Sequence, residues 1–254
     1  MEFFDSHAHY NDEKYDLDRN HIINSIYNEN ITRMVCVGYN VEKSEEALKL
    51  AKEFHFMYAT CGISPNDIED FVDNNLDKIE EIAKDEKIIA IGEIGLDYYW
   101  NKENKEKQKE LFIKQIEIAN KLEKPIVIHT REATTDTIEI LKQYPVIKKG
   151  IFHCCPLNQE LIKEGLKLGY YISFSGNITF KNAKSDQCVR LVSLDKLLIE
   201  TDSPYLSPEP FRGKRNDSRN VKLVAKKIAE IKGIDLEEVA KITYENANKI
   251  FGID

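Results

Sequence analysis

The stretch Phe3-Phe4-Asp5-Ser6-His7-Ala8-His9 opens the chain and decides how the rest is read. Two aromatic residues lead into an acid, and two histidines follow two positions apart. Side chains at i and i+2 of an extended segment share one face, so the spacing predicts that His7 and His9 aim their rings at one point. Neutral imidazole is the commonest protein metal ligand, and a nearby carboxylate can orient or join such a pair. An isolated H-x-H also fits a strand end carrying two solvated histidines. The rest of the chain decides between the two, because it repeats the event: an apolar run, then a ligand-type residue.

Outward from that stretch, residues 15–29 read as a helix with Leu17, Ile22, Ile23 and Ile26 at mixed three- and four-residue spacing. Residues 31–38 form a strand, 41–54 a helix and 56–63 a strand, closed by Ser64-Pro65-Asn66-Asp67. A helix over 74–84 precedes a strand over 88–91, from whose end Gly92-Glu93-Ile94-Gly95-Leu96-Asp97 departs. The alternation continues with a long charged helix over 103–122, strands over 125–129, 149–153, 170–174 and 196–201, and helices over 134–143, 158–168 and 182–192. Helices near 220–231 and 236–251 finish the chain. Eight strand–helix units in this length predict an α/β fold of the (β/α)8 TIM-barrel type, with a doubly wound open sheet as the main alternative. No linker or low-complexity stretch divides residues 1–254, so a single domain is expected.

The composition fits that expectation. Apolar residues make up 42% and charged residues 31%, ordinary for a chain that buries a full core. A net charge of -8 argues against a surface that coats polyanions, while leaving room for local phosphate contacts. The five cysteines are odd in number, and Cys36 and Cys61 lie in apolar runs where reduced buried thiols are usual. A reducing compartment suits them. Met1-Glu2-Phe3-Phe4-Asp5 carries acids where a signal peptide needs basic and then apolar residues. No apolar run approaches the roughly 20 residues of a membrane span. A soluble cytoplasmic protein without a membrane association is the expectation.

Barrel enzymes place their sites at the carboxyl ends of the strands. The candidates there are Asp5, His7 and His9, then Glu93, His129, His153 and Asp202. Four of the six histidines fall in this set, and the other two, His21 and His55, fall on predicted helices. Taken singly, Glu93 also reads as a turn-capping acid, and His129 and His153 as satisfied core histidines. Asp202 ends an apolar strand where an unpaired charge is costly, so a cation or base partner is expected. Cys154 and Cys155 are discounted as ligands, because oxygen and imidazole donors already fill a hydrolytic site.

The segments Asp5-Ser6-His7-Ala8-His9, Gly92-Glu93-Ile94-Gly95-Leu96-Asp97-Tyr98, Ile128-His129-Thr130-Arg131-Glu132-Ala133 and Glu200-Thr201-Asp202-Ser203-Pro204-Tyr205-Leu206 resemble the motifs of the TatD family of metal-dependent deoxyribonucleases. Arg212-Gly213-Lys214-Arg215-Asn216 resembles that family's basic loop after the last strand. The resemblance spans nearly the whole chain in the right order. It implies an amidohydrolase-type TIM barrel with a divalent metal centre. His7, His9, Glu93 and Asp202 would hold one ion, and Glu93, His129 and His153 the second. The implied activity is hydrolysis of DNA phosphodiesters, often from the 3′ end. Two segments depart from the family pattern: Ser64-Pro65-Asn66 stands for a histidine-proline-histidine-like segment, and Cys154-Cys155-Pro156-Leu157 for Cys-Phe-Ser-Gly. Neither removes a proposed ligand, and both are expected to alter the substrate pocket.

On this reading two divalent cations, Mg²⁺, Mn²⁺ or Zn²⁺, flank Glu93. Glu93 and Asp202 are the expected catalytic carboxylates, with Asp202 orienting the attacking water and accepting its proton. Arg131, Arg212, Lys214 and Arg215 are candidates to grip the phosphates of a DNA strand end, the plain alternative being a solvated basic loop. Tyr98, Tyr99 and Trp100 either stack on a base or cap the barrel rim. The same donors would serve a carbonyl centre, so a hydrolase of an amide or of an ester such as aminoacyl-tRNA is the rival reading. A non-catalytic metal-bound module is a third.

Overall fold

The computed structural model describes residues 1–100 and 102–253. Its strands are β1 (Phe3–Ala8), β2 (Ile31–Val37), β3 (Met57–Cys61), β4 (Ile88–Asp97), β5 (Ile126–Arg131), β6 (Gly150–Phe152), β7 (Tyr171–Phe174) and β8 (Leu197–Ile199). Between and after them run α1 (Arg19–Tyr27), α2 (Val41–Glu53), α3 (Asp73–Ile82), α4 (Lys105–Lys121), α5 (Thr134–Gln143), α6 (Gln159–Lys167), α7 (Ser185–Leu191), α8 (Val221–Lys232) and α9 (Leu236–Phe251). Among the described residues the strands form one eight-stranded sheet in the order β1 to β8, each pair parallel. The segment after β8 returns to β1. Ala8 bridges Ser203, the Asp202 amide donates to the His7 carbonyl at 2.9 Å, and the His9 amide donates to the Ser203 carbonyl at 2.7 Å. Buried Asp5 strengthens that seam by accepting from the Thr201 amide at 2.9 Å and the Thr201 hydroxyl at 2.5 Å. The architecture is a (β/α)8 TIM barrel.

Alternation along the strands sorts the core into two clusters. Met34, Cys36, Met57, Ala59, Phe152, Ile172 and Phe174 pack with residues of the surrounding helices. Phe4, Val35, Val127, Ile151, Tyr171 and Leu198 pack with one another and with Ala247 and Phe251 of α9. The Phe4 ring lies 5.9 Å from Tyr244 and 6.2 Å from Phe251, so α9 covers that end of the barrel. Further along the same strand faces, apolar residues give way to buried Ser6, Ser173, His153 and Glu200. That polar layer is where the site lies.

Three expectations shift in the structure. The helix read over 15–29 is a short 3-10 turn at Glu13–Tyr15 followed by α1 from Arg19. Leu17, counted on its apolar face, is fully exposed, because Asp16 and Asp18 interrupt the helix at positions suited to caps. His55, expected on a helix, sits beyond the end of α2 with its ring against Tyr27 and Phe56. The larger difference is β4. The sequence pattern ends this strand at Ile91, yet β4 runs on to Asp97 with every residue buried. Glycine serves here to let two backbones approach: a methyl on Gly95, at φ +138°, would collide with the His129 carbonyl oxygen.

Candidate metal centre

Two strand irregularities aim the ligand-type side chains. On β1, Asp5 pairs with Met34 and Ala8 with Cys36, so three steps on β1 oppose two on β2. On β4, Ile91 pairs with Ile126 and Ile94 with Ile128, again three steps against two. Such bulges re-aim side chains beside active sites, and His7 and Glu93 lie within them. His7 and His9 therefore converge as expected, but through a bulge and the strand end rather than by plain alternation. His129 lies on β5, and His153 follows β6 directly. Asp202, in the turn after β8, has a φ of +54°, a left-handed conformation that aspartate tolerates better than most residues.

The donors fall into two sets that share one carboxylate. His7 Nε2 and His9 Nε2 stand 3.1 Å apart. Glu93 Oε2 lies 3.5 Å from the first and 3.8 Å from the second, and Asp202 Oδ1 lies 3.7 and 3.4 Å from them. On the other side, His129 Nδ1 is 2.9 Å and His153 Nε2 3.4 Å from Glu93 Oε1, and the two ring nitrogens are 3.2 Å apart. Corners of a tetrahedron around a cation bound at about 2.0–2.1 Å are separated by about 3.3–3.4 Å. Both sets are spaced for that, and imidazole with carboxylate is a donor mixture suited to a divalent cation. The residues fit the metal. His7 and His153 stack between the sets, ring centroids 3.9 Å apart and 9° from parallel.

Burial and mutual charge set the protonation of this cluster. Burial alone would push Glu93 up, but the charge of His153 and hydrogen bonds from His129, His153 and His7 hold it well below the carboxylate range. Burial would likewise raise Asp202, and the hydrogen bond from His9 reverses the sign. His7 is lowered by burial and by its stacked neighbour His153, so its ring stays neutral and free to ligate.

Two functional neighbours escaped the sequence reading. Asp97 Oδ2 lies 2.9 Å from His129 Nε2, and Glu200 Oε1 lies 3.4 Å from His153 Nδ1 while accepting from the Cys154 amide at 2.6 Å. A signal for Glu200 was present: it stands two residues before Asp202, both near the end of an apolar strand. Asp97 gave none, because its nearness to His129 comes from the register of β4 against β5. Asp5, a candidate from the sequence, serves the β1–β8 seam instead, and burial pushes it up to about 7. No cysteine joins the candidate metal groups among the described residues.

A cavity of about 750 Å³ opens onto these groups, lined by His9, Glu93, His129, His153 and Asp202. Trp100 and Arg131 lie on its wall, as do Ser64, Asn66, Cys154 and Pro156 from the segments that depart from the family pattern. The Arg131 guanidinium lies over the Tyr99 ring at 3.8 Å and over Trp100 at 5.5 Å. Tyr98 is buried, with its hydroxyl donating to Asp136 at 2.6 Å, and so belongs to the rim's support. The other basic candidates stand apart from the cavity lining. Arg215 makes a two-pronged ion pair with Asp18, Arg212 lies over the Phe180 ring at 4.4 Å, and Lys214 is 5.7 Å from the Phe211 ring. No helix among the described residues is long and apolar enough to cross a membrane.

Known proteins share this chain's sequence pattern and fold. The sequence pattern of the family described as TatD related DNase matches residues 4–252. A Bacillus subtilis (strain 168) protein named uncharacterized metal-dependent hydrolase YabD is 44% identical over 253 residues, covering 99% of each chain. Uncharacterized metal-dependent hydrolase MJ1582 of Methanocaldococcus jannaschii is 35% identical, covering 99% of this chain and 97% of its own. Among solved structures, YJJV, a TatD homolog from Escherichia coli K12, superposes with a TM-score of 0.94 at 24% identity, over 99% of this chain and 98% of that one. With its donor sets converging at the carboxyl ends of the strands, the chain belongs to the TatD related DNase family and is a metal-dependent hydrolase.

Proposed function

We propose that this hydrolase cleaves DNA phosphodiester bonds, working from the 3′ end of a strand with two divalent cations. The observation that carries the reading is the division of Glu93 between two donor sets, one through each carboxylate oxygen. His7, His9, Glu93 and Asp202 would hold one ion, and Glu93, His129 and His153 the other. When bound, such cations lower the pKa of a water and neutralise charge on the phosphoryl oxygens.

The chain's own side chains supply the rest. Asp202 faces the cavity, and its carboxylate orients the attacking water and takes its proton. Glu93 keeps the two halves of the site in fixed relation. Arg131 reaches a flanking phosphate from the cavity wall, and exposed Trp100 beside it offers a face to a terminal base, a contact worth about 1–3 kcal/mol. Arg212 and Lys214 extend the positive surface beyond the mouth. Contacts confined to a strand end reconcile a nucleic-acid substrate with a net charge of -8.

The test is a nuclease assay on chelator-stripped protein with 3′- and 5′-labelled single-stranded and duplex DNA, adding back Mg²⁺, Mn²⁺ or Zn²⁺. Shortening from the 3′ label that requires metal and vanishes in Glu93→Ala is the expected result. Absence of cleavage with every metal, while metal binds, overturns the DNA reading and moves the substrate to an amide or ester.

A further inference from the structure

We propose that Asp97 is a positioning residue: it selects the tautomer of His129 that can take a metal, and it ties that half of the centre to the aromatic rim. The inference rests on reading Glu93, His129 and His153 as metal donors, and it holds whichever bond the enzyme cleaves.

His129 differs from the other three histidines of the centre. It offers Nδ1 to the shared carboxylate, while its Nε2 is fixed by Asp97 Oδ2 at 2.9 Å. The Nδ1 atoms of His7 and His9 are buried without a hydrogen-bond partner, and that of His153 faces Glu200 Oε1 at 3.4 Å. An ionised carboxylate only accepts hydrogen bonds. Asp97 therefore holds a proton on Nε2, so that when the ring gives up the proton it shares with Glu93 Oε1, the lone pair appears on Nδ1, facing Glu93 Oε1 and His153 Nε2.

The second oxygen of Asp97 faces the other way. Oδ1 accepts from the backbone amides of Tyr99 at 2.9 Å and Trp100 at 3.0 Å, the two rings against which Arg131 lies. Asp97 itself cannot drift, because buried Gln108 clasps its backbone, accepting from its amide at 2.8 Å and donating to its carbonyl at 3.1 Å. One carboxylate thus holds both a metal-ligand ring and the rim that faces the substrate. Trp100 is the single tryptophan of the chain, so its emission reports on that rim alone.

Asp97→Asn separates the tautomer role from a structural one. The amide oxygen still accepts from Tyr99 and Trp100, but the amide nitrogen is a donor set against Nε2. It favours a bare Nε2 and a protonated Nδ1, the form that cannot ligate. Asp97→Ala removes both functions. The experiment uses chelator-stripped wild-type, Asp97→Asn, Asp97→Ala and Glu93→Gln proteins, titrated with Mn²⁺ and Zn²⁺ by calorimetry while tryptophan emission is followed, with metal-free melting temperatures as the folding control.

Wild type is expected to bind in two classes of site, with a change in Trp100 emission as the His129 class fills. In Asp97→Asn one class weakens about 10- to 100-fold, the emission change moves to correspondingly higher metal, and the metal-free emission and melting temperature match wild type. Asp97→Ala alters the metal-free emission as well. Wild-type affinities in Asp97→Asn overturn the proposal, as does an equal weakening of both classes accompanied by a large fall in melting temperature. A wild type that binds no ion, or a Glu93→Gln protein that binds as wild type does, overturns the donor-set reading, and the proposal with it.

Discussion

Gly95→Ala tests the argument that two close-packed strands create the site. Gly95 pairs with His129 across β4 and β5, and an added methyl would overlap the His129 carbonyl oxygen while standing 3.0 Å from its carbon and 3.2 Å from its nitrogen. All three contacts are backbone, so no rotamer change relieves them, and the strands must part. The φ of +138° adds a conformational cost of about 1–3 kcal/mol for a residue with a Cβ. Loss of one or two ladder hydrogen bonds adds about 0.5–1.5 kcal/mol each. Together the substitution should cost about 1.5–6 kcal/mol, a large share of the roughly 5–15 kcal/mol that holds a domain together. Gly213→Ala is the control: it also has a positive φ, +85°, but nothing lies within 4 Å of the added carbon, and about 1–2 kcal/mol is expected. Urea unfolding gives the two numbers, and metal titration shows whether Glu93 and His129 still meet. Equal losses in the two variants, or a Gly95→Ala protein with native metal affinity, would refute the account of β4.

Further outcomes follow from the same structure. A divalent cation at 100 times its dissociation constant should add about 2.7 kcal/mol, hence about 5–11 °C in melting temperature for a chain of this size; Glu93→Gln should lose most of that rise in scanning calorimetry, and a rise equal to wild type would contradict the shared carboxylate. Thr201→Val removes the hydroxyl that donates to buried Asp5 across the seam and should cost about 1–3 kcal/mol in urea unfolding, whereas no measurable change would mean that the seam does not depend on it. Burial pushes the Cys36 and Cys61 thiols up to about 12. A raised thiol pKa keeps both protonated through pH 8, with thiolate fractions of order 10⁻⁴, so both should label with a thiol reagent only after unfolding; rapid labelling of the folded protein would show that these strands open.

The sequence carried the fold because each strand announces itself twice, by an apolar run and by the ligand-type residue at its end. His7, Glu93, His129, His153 and Asp202 could be placed on one rim because barrel strands point the same way, and the i,i+2 spacing of His7 and His9 sufficed to pair them. The limits of β4 were not legible. Gly92 and Gly95 look like strand breakers along the chain, and only the approach of β5 shows that they let the strand continue. The role of Asp5 was misread for a related reason, since its partner Thr201 is 196 residues away.

What the sequence by itself determined is therefore the alternation, the order of the strands and the identity of the donors, all of which depend on neighbours along the chain. The tertiary structure alone decided which oxygen of Glu93 faces which histidines, which ring nitrogen of His129 faces the shared carboxylate, and that Asp97 stands behind it. These depend on bulges and on register between strands, where a one-residue slip turns a side chain to the opposite face. Such distances are set across the sheet by backbone contacts that no local pattern of residues encodes.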